Sequence, residues 1–179
     1  CASVTVESPW GKASWKMNVP GEHMAHNAVG AIAVAGVMGL DLQRAADAIS
    51  MSVLSEMRMQ HRTAISGALI IDDSYNANPA SMAAALHALN ATKASRRIAV
   101  LGVMAELSEP EQDHLQISRL AKQLGIEVIA VETDMYEVQS RTRDEVAAML
   151  ATVENTATIL IKGSRVAQLE KLIAILTTP

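Results

Sequence analysis

Two carboxylates, a hydroxyl, a phenol and two amides fall within the eight residues Asp72-Asp73-Ser74-Tyr75-Asn76-Ala77-Asn78-Pro79. An apolar run, Ala68-Leu69-Ile70-Ile71, precedes them, and a helical pattern from Met82 to Leu89 follows. The polar set therefore stands where a buried strand hands over to a helix, the place where open α/β sheets bind ligands. Asn78 and Pro79 have a plain role as N-cap and first helical residue. Capping does not account for Asp72, Asp73, Tyr75 and Asn76 together.

A second set, Lys162-Gly163-Ser164-Arg165, follows the last apolar run and is expected to open the last helix. Glycine lets the backbone turn closely. Two cations, a hydroxyl and a helix N-terminus would then suit a carboxylate or phosphate; a turn with solvated charges is the plain alternative. Ser164 as a nucleophile would need a base beside it. The nearest candidate, His114, lies inside a predicted helix, so a catalytic serine is not favoured. His114 is expected to be a surface helix residue or a hydrogen-bonded one at a domain edge. His23 and His26 have metal-like spacing but no third ligand nearby, so capping or ligand contact is expected, and no metal site. Asn27 is placed at the opening of a helix, where capping is its plain role. The phosphate loop Gly-x-x-x-x-Gly-Lys-Ser/Thr is absent, and Gly30, Gly36 and Gly39 sit in a helical pattern that suits close packing.

The elements that must position these residues follow from periodicity. Residues 2–7 and 13–19 predict two strands joined by a turn at Ser8-Pro9-Trp10-Gly11, with Pro20-Gly21 breaking the second. Helices are predicted from Ala25 to Met38, closed by Gly39, and from Asp41, as N-cap, to Met51. Arg58 to Ile65 predicts a strand and Ser66-Gly67 a turn. Apolar runs at 68–71, 97–101, 127–131 and 157–161 are each followed by a helical pattern. The first residues past them are taken as Asp72, Gly102, Glu132 and Lys162, spaced 30 apart. Strands alternating with helices at that spacing imply parallel pairing. Ser108-x-x-Glu111 and Thr142-x-x-Glu145 fit the capping box. Leu115, Ile117, Leu120 and Leu124, ended by Gly125, form one expected buried face; Val166, Leu169, Leu172, Ile173 and Leu176 form another. The fold expected is α/β, a doubly wound, mainly parallel Rossmann-like sheet over 56–179, preceded by a small α+β piece over 1–55.

Composition narrows the function classes. Among 179 residues there is no Phe, with two Trp and two Tyr, and the net charge is −4. Nucleic-acid binding calls for basic patches and stacking platforms and is not expected. The core is expected to rest on aliphatic residues and the ten Met. One Cys excludes an intramolecular disulfide and a Cys-based zinc site. The longest apolar run, Ala28 to Leu40, has 13 residues, too short to span a bilayer. No signal-peptide pattern opens the chain, and a cytoplasmic location is expected.

Five segments, in order, resemble Mur ligases. Pro20-Gly21-Glu22-His23-Met24-Ala25-His26-Asn27-Ala28 is similar to the family's Gly-x-His-Asn-x-x-Asn-Ala segment, and Arg58 falls where those enzymes carry an Arg ahead of their last domain. Asp72 to Met82 resembles the signature of the branch that adds D-alanyl-D-alanine. Val100-Leu101-Gly102-Val103-Met104-Ala105-Glu106-Leu107 resembles its Leu-Gly-Asp-Met-x-Glu-Leu, and Lys162-Gly163-Ser164-Arg165 its final motif. Two positions depart. Met24 stands where the family has Asn and cannot hydrogen-bond as an amide does; Val103 stands where it has Asp, which removes a carboxylate.

The resemblance implies a three-domain, ATP-dependent ligase of peptidoglycan synthesis. It would join UDP-N-acetylmuramoyl-tripeptide to D-alanyl-D-alanine through an acyl phosphate, with ATP and Mg²⁺ serving the full-length enzyme. Residues 1–55 would be the end of its central ATPase domain and 56–179 its C-terminal domain. The P-loop, metal ligands and modified lysine would lie upstream of Cys1. The chain alone is then expected to be inactive, monomeric, without a tightly bound cofactor, and not inserted in a membrane. By position, Asn27 would contact adenine, Asp73 the ribose hydroxyls, and Arg58 and His23 the nucleotide side. Tyr75, Asn76, Asn78 and Ser164 would face the incoming dipeptide, with Lys162 and Arg165 catalytic. The segment Ser50–Met57 would be a hinge. A stand-alone α/β nucleotide-binding regulatory module is the rival class. A P-loop encoded upstream of Cys1 would favour the ligase, a start codon there the module.

Overall fold

In a computed structural model of the chain, residues 3–17, 22–51 and 56–177 are described, except for the side chains of 22 and 23. The expected Pro20-Gly21 break, the end of the second strand at 18–19, residues 52–55 of the expected hinge and the His23 side chain lie outside those residues. The chain divides into two compact units, Cys1–Ser55 and Glu56–Pro179.

The first unit is a β-hairpin and two helices: β1 (Ser3–Ser8), β2 (Gly11–Lys16), α1 (Glu22–Val37) and α2 (Leu42–Met51). The period of two along β2 and just past it puts Ala13, Trp15 and Met17 in the core with Ala28, Ile32, Ala35, Leu42 and Ala46. Gln43 of α2 pairs with the β2 backbone like a further strand residue, accepting the Ser14 N–H at 3.2 Å and donating to the Ser14 carbonyl at 3.0 Å. Asp41 caps α2 through the Arg44 N–H at 2.7 Å. Gly36 has its packing role, but against the hairpin: a Cβ there would lie 2.7 Å from the Trp10 ring. Asn27 does not open α1, because the helix begins at Glu22. It lies exposed in the second turn, where no free N–H needs a cap.

The second unit holds β3 (Gln60–Thr63), β4 (Leu69–Asp73), α3 (Pro79–Asn90), β5 (Arg97–Leu101), α4 (Pro110–Gln123), β6 (Glu127–Val131), β7 (Ser140–Arg141), α5 (Arg143–Leu150), β8 (Thr158–Lys162) and α6 (Glu170–Thr177). Its six-stranded sheet has the order β3-β4-β8-β5-β6-β7, with β3 antiparallel to β4 and the other pairs parallel. Helices α3 and α4 pack on each other and against β8, β5 and β6. Helices α5 and α6 bury Val146, Leu150, Leu172, Ile173 and Leu176 with Ile70, Ile98, Val100, Ile159 and Ile161. Alternate residues of the same strands, Ile71, Ala99, Leu101 and Leu160, are also buried, so both faces of the sheet are covered. This is a doubly wound α/β sheet.

Several local readings are corrected. β4 and β8 each run further than their apolar stretches, so Asp72, Asp73 and Lys162 are the last strand residues rather than the first beyond them. The Ser108 capping box does not form. Pro110 is the first helical residue and Glu109 the N-cap, without a side-chain bond, because the residue before a proline is pushed out of the helical region. The buried face of α4 centres on His114, Ile117 and Ala121 rather than on its leucines. Lys162 to Arg165 does not open an α-helix. It leads into a single 3-10 turn, Arg165–Ala167, which ends at Gln168 in a left-handed conformation (φ 48°) before α6 starts. Val166 is consequently exposed rather than part of a helical face. Met82 and Met104 are buried, but Met38 and Met51 are exposed, so the methionines do not all serve the core. No helix among the described residues is long and apolar enough to cross a membrane.

Candidate functional site

The chain runs from β4 to β5, passing over the place that β8 fills only at the end. Crossovers in one direction put α3 and α4 on one face, and the return to β8 puts α5 on the other. The direction reverses around β8, so a crevice is expected beyond the carboxyl ends of β4, β8 and β5. The segments that end these three strands are the 72–79 set, Lys162 to Arg165, and the loop from Gly102.

Asp73 and Lys162 are register partners on neighbouring strands. The Lys162 ammonium, 2 % exposed, donates to Asp73 Oδ2 at 2.6 Å and to the Asn76 carbonyl at 2.9 Å. Asp73 Oδ1 accepts the Met59 N–H at 3.1 Å. Desolvating this ammonium is costly, and the close carboxylate and carbonyl offset that cost. Asp73 retains acceptor capacity, since each carboxylate oxygen has two lone pairs, and its side chain is 13 % exposed.

Asp72, one step along the pleat, has a separate set of partners. Arg62 Nε donates to its Oδ2 at 3.0 Å, while the Ser74 hydroxyl at 2.7 Å and N–H at 3.3 Å donate to Oδ1. At 1 % exposure it is a buried structural carboxylate that ties β3 to β4 and turns the chain at Ser74.

The rest of the 72–79 set divides likewise. Tyr75 is half-exposed, its N–H held by the Met57 carbonyl, and the Arg58 guanidinium lies 4.1 Å from its ring centroid. That distance is a cation–π contact. Asn76 and Asn78 are exposed. Asn78 makes a full capping box with Ser81, so its side chain serves α3. The Asn76 side-chain oxygen takes the Ala77 N–H.

Ser164 is buried and fully engaged. Its hydroxyl accepts the Ala105 N–H at 2.9 Å and donates to the Ala77 carbonyl at 3.2 Å, joining the exits of β4, β5 and β8. Gly163 is where the chain needs the missing side chain: a Cβ would lie 3.1 Å from Gly102 Cα and 3.0 Å from Leu169. Arg165 is exposed, with Nη1 3.1 Å from Met57 Sδ and 3.5 Å from Glu170.

Two residues at this edge escaped sequence reasoning as partners. Of the two expectations for His114 the hydrogen-bonded one holds, with full burial rather than a surface position; its Nε2 accepts the Met104 N–H and its Nδ1 faces the Pro110 carbonyl. Tyr136, also fully buried, donates to the Gly102 carbonyl at 2.8 Å, and burial pushes its phenol pKa well above the usual value. A histidine on the apolar face of α4 and a tyrosine after β6 were the available signals. Among the described residues, no group of three or more His, Cys, Asp or Glu is placed to hold a metal. Asn27 lies in the first unit, apart from this set in the sequence.

A carboxylate and a cation are thus paired at the switch point of a doubly wound α/β sheet, with turned loops either side, the position where sheets of this class bind ligands. The chain belongs to the Mur ligase family: residues 57–176 match the model described as "Mur ligase, glutamate ligase domain". Among curated relatives, it is 32% identical over 186 residues to the UDP-N-acetylmuramoyl-tripeptide–D-alanyl-D-alanine ligase of Escherichia coli K12, covering 94% of this chain and 40% of that protein. It is 41% identical over 127 residues to the ligase of the same name from Mycobacterium bovis, covering 67% and 25%. The crystal structure of MurF from Acinetobacter baumannii superposes with a TM-score of 0.86 at 26% identity, covering 99% of this chain and 42% of that one. The chain thus spans between a quarter and about two fifths of these relatives' length.

Proposed function

We propose that this chain is the C-terminal part of an ATP-dependent ligase that joins UDP-N-acetylmuramoyl-tripeptide to D-alanyl-D-alanine. Residues 1–55 belong to the end of its ATPase domain and 56–179 form the domain that brings the dipeptide. The tripeptide carboxylate would take the terminal phosphoryl group of ATP, leaving ADP and an acyl phosphate, and Mg²⁺ would serve as the nucleotide's counter-ion. The dipeptide amine then forms the new amide bond, and phosphate leaves. The enzyme works as a cytoplasmic monomer, and the chain by itself, lacking the phosphate loop, does not turn over.

The observation that carries this reading is the meeting of three family-like segments around the Asp73–Lys162 pair, at the sheet's switch point. The residues fit a nucleotide ribose: Asp73 has an acceptor site left on a partly exposed carboxylate. Arg58, whose guanidinium lies over the Tyr75 ring, is by the family resemblance a contact on the nucleotide side. By the family resemblance, Asn27 of the first unit would contact adenine and His23 the nucleotide side. Tyr75, Asn76 and the exposed Arg165 are the groups of this edge that a substrate can meet directly. Lys162, Ser164 and Asn78 act through what they hold: Lys162 neutralises Asp73 and anchors Asn76, Ser164 ties three strand exits, and Asn78 starts α3.

The test is ligation by the complete enzyme. Asp73→Ala should raise the apparent KM for ATP and lower kcat, with a combined loss in kcat/KM of roughly 10- to 150-fold, the worth of a charge-assisted hydrogen bond. Unchanged steady-state kinetics would remove Asp73 from the site.

A further inference from the structure

The loop leaving β5 is fastened peptide by peptide from three other elements. The Gly102 carbonyl takes the Tyr136 hydroxyl at 2.8 Å, the Met104 N–H reaches His114 Nε2 at 2.8 Å, and the Ala105 N–H reaches Ser164 Oγ at 2.9 Å. The backbone adds Gly102 N–H to the Lys162 carbonyl and Ser164 N–H to the Val103 carbonyl, both at 2.9 Å. His114 and Tyr136 also hold each other, edge to face, with ring centroids 4.9 Å apart at 62°. Because Met104 donates to Nε2, the imidazole carries its hydrogen on Nδ1, which the Pro110 carbonyl accepts.

An ordinary surface loop leaves these peptide groups to water. Here three buried polar side chains replace it, at a desolvation cost that a connecting loop does not require. The first side chain past the fastened peptides is Glu106, exposed and in a left-handed conformation at φ 60°. The carboxylates at the β4 exit are already paired, Asp72 with Arg62 and Asp73 with Lys162. Glu106 has no hydrogen-bond or ion-pair partner among the described residues. An amine arriving as an ammonium ion needs a carboxylate whose charge is not already neutralised by a cation.

We propose that His114 and Tyr136 are positioning residues for the dipeptide side of the reaction, fixing the 102–106 loop so that Glu106 receives the incoming ammonium group. Neither residue touches the substrate. The role rests on the ligase reading above, and the two can be tested apart.

The first measurement is amide hydrogen exchange on the 179-residue chain. Met104 and Ala105 should be protected. His114→Phe should release Met104, and His114→Gln, whose side-chain oxygen can accept the same N–H, should restore part of the protection. Exchange at Met104 that does not change in His114→Phe would overturn the fastening. The second is kinetics of the complete ligase. Tyr136→Phe and His114→Phe should raise the KM for D-alanyl-D-alanine tenfold or more, since a displacement of about 1 Å at a reacting group costs on the order of 100-fold. The KM for ATP should move less than twofold. Glu106→Gln should raise the dipeptide KM alone, with an unchanged melting temperature. Lower melting temperatures with unaltered dipeptide KM would make the pair merely structural and end the proposal, as would a normal dipeptide KM in Glu106→Gln. If His114→Phe does not fold, Tyr136→Phe, which loses one oxygen, decides. A wild-type enzyme that folds, shows the protected amides and does not use the dipeptide would sink the ligase reading and this role with it, leaving the fastening itself established.

Discussion

The two ends of the same sheet handle charge in opposite ways. At the carboxyl end, Lys162 is 2 % exposed and Asp72 1 %, and each partner is held from a neighbouring strand. At the amino end, Arg96 makes a bidentate pair with Glu127 at 2.7–2.9 Å and lies 3.9 Å from Glu154, with about 40 % or more of each side chain in solvent. The amino-end pair has the better fork geometry, yet water competes for it and screens it. At the carboxyl end one member of each pair, Lys162 and Asp72, is cut off from water although Arg62 is 40 % exposed, so removing its partner leaves that buried charge stranded. Ion-pair geometry alone therefore does not rank these contacts; burial does. This sheet concentrates its buried charges at the carboxyl end and leaves exposed, replaceable pairs at the other.

The largest effect that would sharpen this contrast is at Lys162. Lys162→Met should destabilise the chain by about 3–5 kcal/mol, the range for breaking a buried pair, measured by denaturant unfolding. Adding Asp73→Asn should recover more than half of it, because the stranded charge goes with its partner. A single variant as stable as wild type would erase the difference between the two ends.

Tyr136 gives a pH signature to the carboxyl end. Burial raises its pKa in the folded state, so its contribution is fully present below about pH 10, the unfolded value. As pH rises beyond that, the unfolded chain ionises first and stability falls. Wild type should therefore lose stability more steeply above pH 10 than Tyr136→Phe does. Parallel curves for the two would mean that the phenol is not held in the dry site between Gly102 and His114.

Smaller still, Asn78→Ala should cost about 1 kcal/mol through its lost cap. The effect should show in the melting temperature of the second unit, with a dipeptide KM that hardly moves. A large KM change at full stability would return Asn78 to the binding groups. At the other end, Arg96→Ala should cost less than about 1 kcal/mol, and less again in high salt. A loss comparable with that of Lys162→Met would break the comparison outright.

Much of the fold was legible in the sequence because its signals are local. Strand and helix periods gave the alternating elements. Asp41, Asn78 and Thr142 act as caps as their spacing indicates, since a cap needs only the next three residues. The false capping box at Ser108 fails for an equally local reason, the proline two residues on. The two-residue strand β7 carries no periodic signal and was not foreseen. The burial of His114 was not legible either, because its partners, Met104 and Tyr136, come from loops beyond its helix.

What the sequence determined, then, is which short segments bear the chemistry and which elements carry them. Only the tertiary structure decided their arrangement. The last strand enters between β4 and β5, so the final motif in the chain becomes the central one in space. The pleat sends Asp72 and Asp73 to opposite sides, and the registers with β3 and β8 then give one to Arg62 and the other to Lys162. Two adjacent and chemically identical carboxylates are parted by strand order and register, which are properties of long-range pairing and leave no mark on either residue's immediate sequence.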